Sequence, residues 1–208
     1  MTHPAIQFLA HLDASPDATF NIEHFTDVPK GTPKPKPDLL ARRYANLTLN
    51  DVEALLPRLQ EFNERGAGIF VARNQCSGHR NAKSVTRVRG VHADMDDVTD
   101  AQLVAVTARL APSIVVQSSP GRQQLYWQTA VGAVLDIVET KAINQCLAEL
   151  GADSAAVDPS RLLRLPGFKH MKYRAEGKTP IVTSEYHGVC YTAEEIRKAF
   201  PPRQSGDA

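Results

Sequence analysis

The chain is poor in cysteine, and the few cysteines it has are scattered. Cys76, Cys146 and Cys190 are its three cysteines, and no two of them have the spacing of a zinc site. An odd number of distant cysteines also argues against a disulfide framework. Cys76 and His79 form a lone C-x-x-H without a second half, so we expect no structural zinc there.

Long apolar runs and a strong net charge are also absent. No apolar stretch approaches the roughly 18 residues of a membrane span, and no signal peptide is visible, so we expect a cytoplasmic protein without a membrane partner. Lys and Arg number 24 and Asp and Glu 23, giving a net charge of +1. Contacts with nucleic acid must therefore come from local basic clusters. Walker-type and dinucleotide-binding glycine loops are missing too.

The pattern of expected elements predicts an α+β protein. The expected helices are 4–12, 52–62, 99–110, 135–150 and 192–200, and the expected strands are 18–25, 69–73, 87–97, 113–119, 122–127 and 180–186. Hairpins without strict βα alternation indicate a mixed sheet with packed helices rather than a doubly wound fold. We expect one domain over residues 1–200, with an N-terminal lobe to about 85, a catalytic part over about 86–200 and a flexible tail over 201–208.

The strand over residues 87–97 ends in two carboxylates, Asp94 and Asp96. Side chains alternate between the faces of a strand, so this pair shares a face with His92, whereas the intervening residues point to the core. Two carboxylates on one rigid face repel each other unless a cation lies between them, and Mg²⁺ or Mn²⁺ is the usual solution. The pair indicates metal-assisted phosphoryl chemistry, although aspartates at the end of a strand also commonly begin a turn.

Residues 153–172 form the most unusual segment of the chain. Asp153 and Asp158 are its candidates for a third carboxylate ligand. Leucines are interleaved with its arginines and anchor the segment against the core, which holds the cations in place. Arginine suits bidentate phosphate binding and lysine acts as a mobile point charge. The candidate phosphate-binding residues of the segment are Arg161, Arg164, His170 and Lys172.

The hairpin over residues 113–127 supplies a polar face. Alternation places Arg122, Gln124 and Tyr126 on one side, and Ser118 and Ser119 precede its Pro-Gly turn. This face could hold phosphates, a sugar or a base. The alternative is an ordinary hairpin with one wet face.

Together these three segments resemble the archaeo-eukaryotic primase superfamily, and most closely the RepB-like primases of plasmids and phages. The sequence over 92–97 is similar to the hydrophobic-D-x-D motif, that over 118–127 to an S-S-P-G hairpin, and that over 158–167 to D-x-S-R-x-x-R-x-P-G. The resemblance covers roughly residues 15–175. It implies an RRM-like catalytic sheet joined to an N-terminal α/β lobe, and synthesis of short primers on single-stranded DNA from nucleoside triphosphates.

The resemblance also implies roles for residues. Asp94, Asp96 and Asp158 would hold two Mg²⁺ or Mn²⁺ ions, one activating the attacking 3′-hydroxyl and the other binding the triphosphate; Asp158 is preferred to Asp153 because it matches the motif. The implied nucleotide-binding residues are Ser118, Ser119, Arg122, Gln124, Tyr126, Arg161, Arg164, His170 and Lys172. Apart from the resemblance, we expect the template to contact scattered basic residues, namely Lys34, Lys36, Arg42, Arg43, Arg80 and Lys83, and a replicative helicase is a further candidate partner.

One position departs from the family pattern. Many members have a histidine where this chain has Gln124, which can still hydrogen-bond a phosphate but supplies no imidazolium charge. His92 and His170 are candidates to compensate. Two alternatives stay open: a metal-dependent nuclease or phosphodiesterase, in which His92 would help to activate water, and a non-catalytic module that binds single-stranded or origin DNA.

Overall fold

The computed structural model of the protein describes residues 2–29, 31–96 and 98–202. Its helices are α1 (Pro4–Leu12), α2 (Leu49–Glu64), α3 (Asp100–Thr107), α4 (Ile137–Glu149) and α5 (Ala193–Ala199). Its strands are β1 (Phe20–Thr26), β2 (Arg42–Leu47), β3 (Ala67–Ala72), β4 (Gln75–Cys76), β5 (Val85–Arg87), β6 (Gly90–Met95), β7 (Ile114–Ser119), β8 (Arg122–Gln128), β9 (Leu162–Arg164) and β10 (Thr183–Tyr186).

The strands form two antiparallel four-stranded sheets, which confirms the predicted α+β class. The first sheet has the order β2-β1-β3-β9 and the second the order β10-β7-β8-β6, while β4 and β5 make a small separate hairpin. The capping boxes begin α2, α3 and α5, because Thr48, Thr99 and Thr192 each accept a hydrogen bond from the backbone three residues on.

Alternation along the strands divides the apolar side chains between two main cores. One core lies between α1, α2, one face of the first sheet and the Ile114, Val116 and Tyr126 side of the second sheet. The other core lies between the opposite side of the second sheet and α3, α4 and α5, and it contains Val91 and Met95. The second sheet is therefore covered on both faces by apolar cores.

The chain crosses between the two sheets, which the sequence did not predict. β9 comes from residues 162–164, yet it pairs with β3 and completes the sheet of the N-terminal half. The strands β2, β4, β5 and β9 were all missed. The division of the chain at about residue 85 therefore does not separate the two sheets. Asp97, and residues 203–208 of the expected tail, lie outside the described residues.

The strand that carries the carboxylates is fixed at its start by a glycine and a buried arginine. Gly90 has a φ of +128°, and a Cβ there would lie 2.0 Å from the Trp127 carbonyl oxygen, so only glycine fits. Arg73 is fully buried, and its Nη2 donates to the carbonyl oxygens of Arg89, Val91 and Trp127 at 3.3 Å each. These hydrogen bonds fix the position of the start of β6 relative to β8.

Within the described residues, no helix is both long and apolar enough to cross a bilayer.

Candidate active site

The two carboxylates lie where β6 ends at the edge of the second sheet. Asp94 is paired with Gln124 of β8, and Asp96 follows the last residue of the strand. Burial, and next the negative charge of Asp96, raise the pKa of Asp94 to about 6. The positive charge of Arg161 and a hydrogen bond from Gln124 act in the opposite direction. A carboxylate whose pKa is raised by burial and by a neighbouring negative charge is typical of a functional site.

Gln124 connects this carboxylate to the first sheet. Its side-chain amide nitrogen donates to Oδ1 of Asp94 at 3.4 Å, and its Oε1 accepts the backbone N–H of Arg164 at 3.1 Å. The residue is only 4% exposed. Both ends of the amide are engaged, so Gln124 orients Asp94 and holds β9 against β8.

Two arginines bring positive charge to the carboxylates. Nη1 of Arg122 is 3.6 Å from Oδ2 of Asp96. Arg161 donates from Nη1 to the Ala155 carbonyl oxygen at 2.9 Å, and its charge lowers the pKa of Asp94. Both arginines were predicted to bind phosphate, and both lie beside the carboxylates.

The contacts of Asp153 and Asp158 differ. The Asp153 backbone N–H donates to the Asp94 carbonyl oxygen at 2.8 Å, and the Asp153 charge contributes to the raised pKa of Asp94. Both carboxylates accept local hydrogen bonds: Asp153 Oδ1 accepts the Ala155 backbone N–H at 3.0 Å, and Asp158 Oδ1 accepts the backbone N–H and hydroxyl of Ser160 at 2.6 and 2.7 Å. Asp158 as third ligand stays a prediction, and the influence of its charge on Asp94 keeps Asp153 as the competing candidate.

The donor set fits a hard divalent cation. Across residues 2–29, 31–96 and 98–202, no three His, Cys, Asp or Glu side chains converge closely enough to hold a metal ion by themselves. Asp94 and Asp96 nevertheless offer carboxylate oxygens, the ligands that Mg²⁺ and Mn²⁺ prefer. Their mutual repulsion is the electrostatic condition that a bound cation would relieve.

The two candidate histidines have different surroundings. His92 is 1% exposed, and its Nε2 lies 2.8 Å from the Ala156 carbonyl oxygen, while Asn144 contacts its Nδ1 at 3.4 Å. Burial, and next the charge of Arg73, lower the pKa of His92 to about 3. His92 is therefore a neutral core residue, and this removes the feature that kept the nuclease interpretation open.

His170 lies on the other side of Gln124, near the turn of the hairpin. Its Nδ1 is 2.8 Å from the Ser118 carbonyl oxygen. Burial, followed by the charge of Arg164, lowers the pKa of His170 to about 4, so the ring is neutral at pH 7. It joins the predicted nucleotide-binding residues of the hairpin to those of the 153–172 segment, but it does not replace the missing imidazolium charge.

Two further predicted nucleotide-binding residues have other partners. Arg164 makes a bidentate ion pair with Asp27, at 2.9 and 3.1 Å, that is largely shielded from solvent. Tyr126 is fully buried and its ring meets Phe8 edge-on, with centroids 5.6 Å apart. The alternative of an ordinary hairpin with one wet face is therefore wrong for Tyr126, which α1 covers, and for Gln124, which is also buried.

The remaining predicted residues lie around these groups. Ser118 and Ser119 are buried at the end of β7, and the Ser118 hydroxyl donates to the Arg122 carbonyl oxygen at 3.2 Å. The Lys172 ammonium lies 5.7 Å from the centroid of the Tyr173 ring. Among the cations expected to meet the template, Arg43 and Arg80 both form ion pairs with Glu23.

Sequence reasoning missed Asp27 and Asn144, although both support the site. Asp27 neutralises Arg164, and Asn144 accepts the His92 backbone N–H at 3.2 Å. Neither belongs to a motif, and their partners lie 137 and 52 residues away in the chain. No local signal could have identified them.

Comparison with known families decides the relationship. The sequence model described as the RepB DNA-primase N-terminal domain matches residues 37–203. The chain belongs to this family. This RepB-type primase domain is therefore a DNA primase of the kind used by plasmids and phages, and the nuclease and binding-module alternatives are not favoured. No protein with curated annotation matches the chain significantly.

Solved structures of primases have the same fold. The primase-polymerase (PrimPol) AEP domain of cyanophage S-2L has a TM-score of 0.70 at 19% identity, covering 95% of this chain and 97% of that one. The catalytic domain of primase RepB′ in complex with initiator DNA has a TM-score of 0.62 at 21% identity, covering 94% and 93%. A further RepB′ structure has a TM-score of 0.64 at 21% identity, and the primase domain spans 62% of it. The family indicates nucleotidyltransferase activity and a general dependence on metal ions.

Proposed function

We propose that this domain synthesises short primers on single-stranded DNA from nucleoside triphosphates, with two divalent cations held by Asp94, Asp96 and a third aspartate. The observation that carries the proposal is the carboxylate pair at the end of β6. Gln124 donates to Asp94, Arg122 lies 3.6 Å from the partly exposed Asp96, and burial together with the charge of Asp96 raises the pKa of Asp94 to about 6. When bound, Mg²⁺ or Mn²⁺ would neutralise these carboxylates and polarise the oxygens of the reacting groups.

We propose Asp153 as the third aspartate. The short hydrogen bond from its backbone N–H to the Asp94 carbonyl oxygen supports this assignment, as does the electrostatic influence of its charge on Asp94. Asp158 is the competing candidate, and its engagement with Ser160 supports a role in shaping the loop before β9.

The cationic residues of the site bind and orient the triphosphate in this proposal. Arg161 and Arg122 are suited to phosphate oxygens, because the guanidinium fork offers several donors and keeps its charge. Ser118, Ser119, His170 and Lys172 would line the approach of the nucleotide. Gln124 acts on Asp94 by fixing the orientation of its carboxylate, a role supported by its two hydrogen bonds.

DNA is the proposed partner of the domain. The RepB′ neighbour was solved with initiator DNA, which supports a nucleic-acid surface on the shared fold. A replicative helicase is a further proposed partner, because primers are made where duplex DNA has been opened.

A de novo primer assay tests the proposal and the choice of third ligand together. The protein is incubated with a mixed single-stranded template and labelled nucleotides, leaving out each nucleoside triphosphate in turn. We expect products that require nucleoside triphosphates and Mg²⁺ or Mn²⁺, and that disappear in Asp96→Asn and Asp153→Asn. Asp158→Asn should retain measurable synthesis; loss in Asp158→Asn with retention in Asp153→Asn would reverse the assignment, and products independent of nucleotides would contradict primer synthesis.

A further inference from the structure

The outer face of the first sheet carries two adjacent phenylalanines. This face points away from the core that α1 and α2 cover, because Ile69, Val71 and Leu163 fill the opposite face. β1 presents Phe25 on the outer face and β3 presents Phe70, whose register partner in β9 is Arg164. We call Phe25 and Phe70 together the aromatic platform.

The two rings of the aromatic platform are stacked and flanked by cations. Their centroids are 4.7 Å apart and their planes differ by 11°. The Arg164 guanidinium carbon is 4.9 Å from the Phe70 centroid, and the Lys34 ammonium is 3.7 Å from the Phe25 centroid. Gly68 makes room for this arrangement, since a Cβ there would lie 2.7 Å from the Phe70 ring.

The aromatic platform is not needed to fill a core. Both rings are partly exposed, and neither belongs to a hydrophobic core cluster in the described part of the chain. Partly exposed aromatic rings on a sheet are the means by which many proteins stack the bases of single-stranded nucleic acid. Lys34 is exposed, so a base can replace its ammonium over the Phe25 ring.

Four cations and three carboxylates lie around the aromatic platform, a small excess of positive charge that suits a polyanion. The cations are Lys34, Arg43, Arg80 and Arg164, and the carboxylates are Glu23, Asp27 and Asp38. Glu23 pairs with Arg43 and Arg80, and Asp27 neutralises Arg164, so the exposed Lys34 and Arg43 are the cations that can meet a phosphate. The side chain of Arg43 is 70% exposed and can reach a phosphate beyond the sheet.

The aromatic platform is continuous with the candidate active site. The backbone N–H of Arg164 donates to Gln124, and Gln124 donates to Asp94. Two hydrogen bonds therefore separate the strand that carries Arg164 from the carboxylate at the end of β6. His170, which contacts Ser118, is influenced by the charges of Arg164 and Asp27 and lies on the same path.

We propose that the aromatic platform binds the single-stranded DNA template by stacking a base on the face of Phe25 that Lys34 covers, with Phe70 supporting that ring from the other side, while Lys34 and Arg43 bind the adjoining phosphates. The inference rests on the proposed primase function, because it assigns the template of that reaction to this face.

Binding of labelled oligonucleotides tests the proposal without any catalysis. The probes are a single-stranded dT 12-mer and an abasic strand of the same length, both measured by fluorescence anisotropy in EDTA and without nucleotides. We expect Phe25→Leu/Phe70→Leu to bind the dT strand about 5- to 100-fold more weakly, the range for loss of base stacking, while binding of the abasic strand stays unchanged. Lys34→Ala should weaken both strands alike and lower the salt dependence by about one counterion.

Matched variants control for folding and charge. Val138→Ala and Lys141→Ala on α4 remove an exposed apolar side chain and an exposed cation elsewhere, and we expect both to bind like the wild type. Phe70→Tyr retains a stacking ring and should also bind like the wild type. Thermal unfolding tests whether the leucine variant is folded. If the folded leucine variant binds the dT strand as tightly as the wild type, or loses affinity for both strands equally, the stacking proposal is wrong.

The two proposals fail in distinguishable ways. A protein that makes no primers but prefers the dT strand through Phe25 and Phe70 would retain the aromatic platform and contradict the proposed primase activity. If the wild type makes primers but the leucine variant binds the dT strand normally, the primase activity is supported and template binding by the aromatic platform is contradicted. Asp94→Asn should keep the full preference for dT over the abasic strand, because its binding face is intact.

Discussion

Asp13 and Asp94 are both shielded from water, but the charged groups nearest to them have opposite signs. Asp13 follows α1, its side chain is 6% exposed, and it accepts from Arg87 at 2.8 Å and from Arg89 at 2.7 Å. Burial alone would raise the pKa of Asp13, but the charge of Arg89 and its hydrogen bond hold that pKa below its ordinary value. This region ties the end of α1 to the strand preceding β6.

Asp94 has a second carboxylate where Asp13 has arginines. Burial and the charge of Asp96 raise the pKa of Asp94 to about 6, and Arg161 only partly offsets them. A buried aspartate with arginine counter-ions thus stabilises the fold. A buried aspartate beside another carboxylate lowers the stability of the fold, and its position is explained by a ligand that it binds.

The largest expected effect is the loss of chemistry without loss of stability in Asp94→Asn. Primer synthesis should fall by about 1,000-fold or more, because metal stabilisation of a transition state is worth several kcal/mol. The free energy of unfolding at pH 7 in EDTA should be equal or higher, since the substitution removes a repelled charge. Primer assays and urea unfolding measure the two quantities, and a clear drop in stability would contradict the comparison.

The converse is expected at Asp13. Asp13→Asn should lower the free energy of unfolding by about 3 kcal/mol, because it leaves the Arg89 guanidinium buried beside a neutral partner. Primer synthesis per folded molecule should be unchanged. Asp17→Asn is the matched control: Asp17 also pairs with Arg87, but its side chain is 75% exposed, so the cost should stay below about 1 kcal/mol. Equal losses in the two variants would show that burial of the pair is unimportant.

The sequence was sufficient to predict the four strands of the second sheet and the carboxylates at the end of β6, but not the order of the strands in the sheet. Alternation correctly assigned Val91, Ala93 and Met95 to a core and Asp94 to the opposite face, because the period of two is a local property of a strand. The hairpin of β7 and β8 and the capping box of α3 are local signals as well.

The connections that assemble the site are not local, and the sequence could not supply them. β9 has three residues, too few to show a periodic pattern, and its register depends on pairing with β3 about 90 residues earlier in the chain. Arg164 was therefore expected to bind phosphate, although Asp27 neutralises it. The choice between Asp153 and Asp158 likewise depends on a backbone hydrogen bond to Asp94 that only the folded chain reveals.

A pH series separates the two aspartates further. The folded protein binds the Asp94 proton more tightly than the unfolded chain, in which the aspartate pKa is near 3.8, so the stability that Asp94 contributes is lost as the pH rises from about 4 to about 6. Relative to the wild type, Asp94→Asn should therefore gain up to about 3 kcal/mol across this window and remain level above it. Urea unfolding in EDTA at pH 4, 5, 6 and 7 measures the difference, and a difference that shrinks as the pH rises would contradict it.

The smallest expected effect concerns Gln124, which links the Asp94 region to the first sheet. Gln124→Leu should lower the free energy of unfolding by about 1–2 kcal/mol, because the Arg164 backbone N–H loses its acceptor in the interior. Primer synthesis should fall about tenfold as Asp94 loses its donor. Asp13 and its arginines lie outside this link, so the pairing that stabilises them should be unaffected.

Gln124→His is the informative companion variant. A neutral imidazole has one donor and one acceptor on opposite sides of the ring, so it can replace the amide in both hydrogen bonds. We expect its free energy of unfolding to stay within about 1 kcal/mol of the wild type and its primer synthesis to be retained. If histidine is as damaging as leucine, the geometry of the amide is required. If leucine is harmless, Gln124 does not position Asp94, and the orientation of that carboxylate must come from the charges of Asp96 and Arg161.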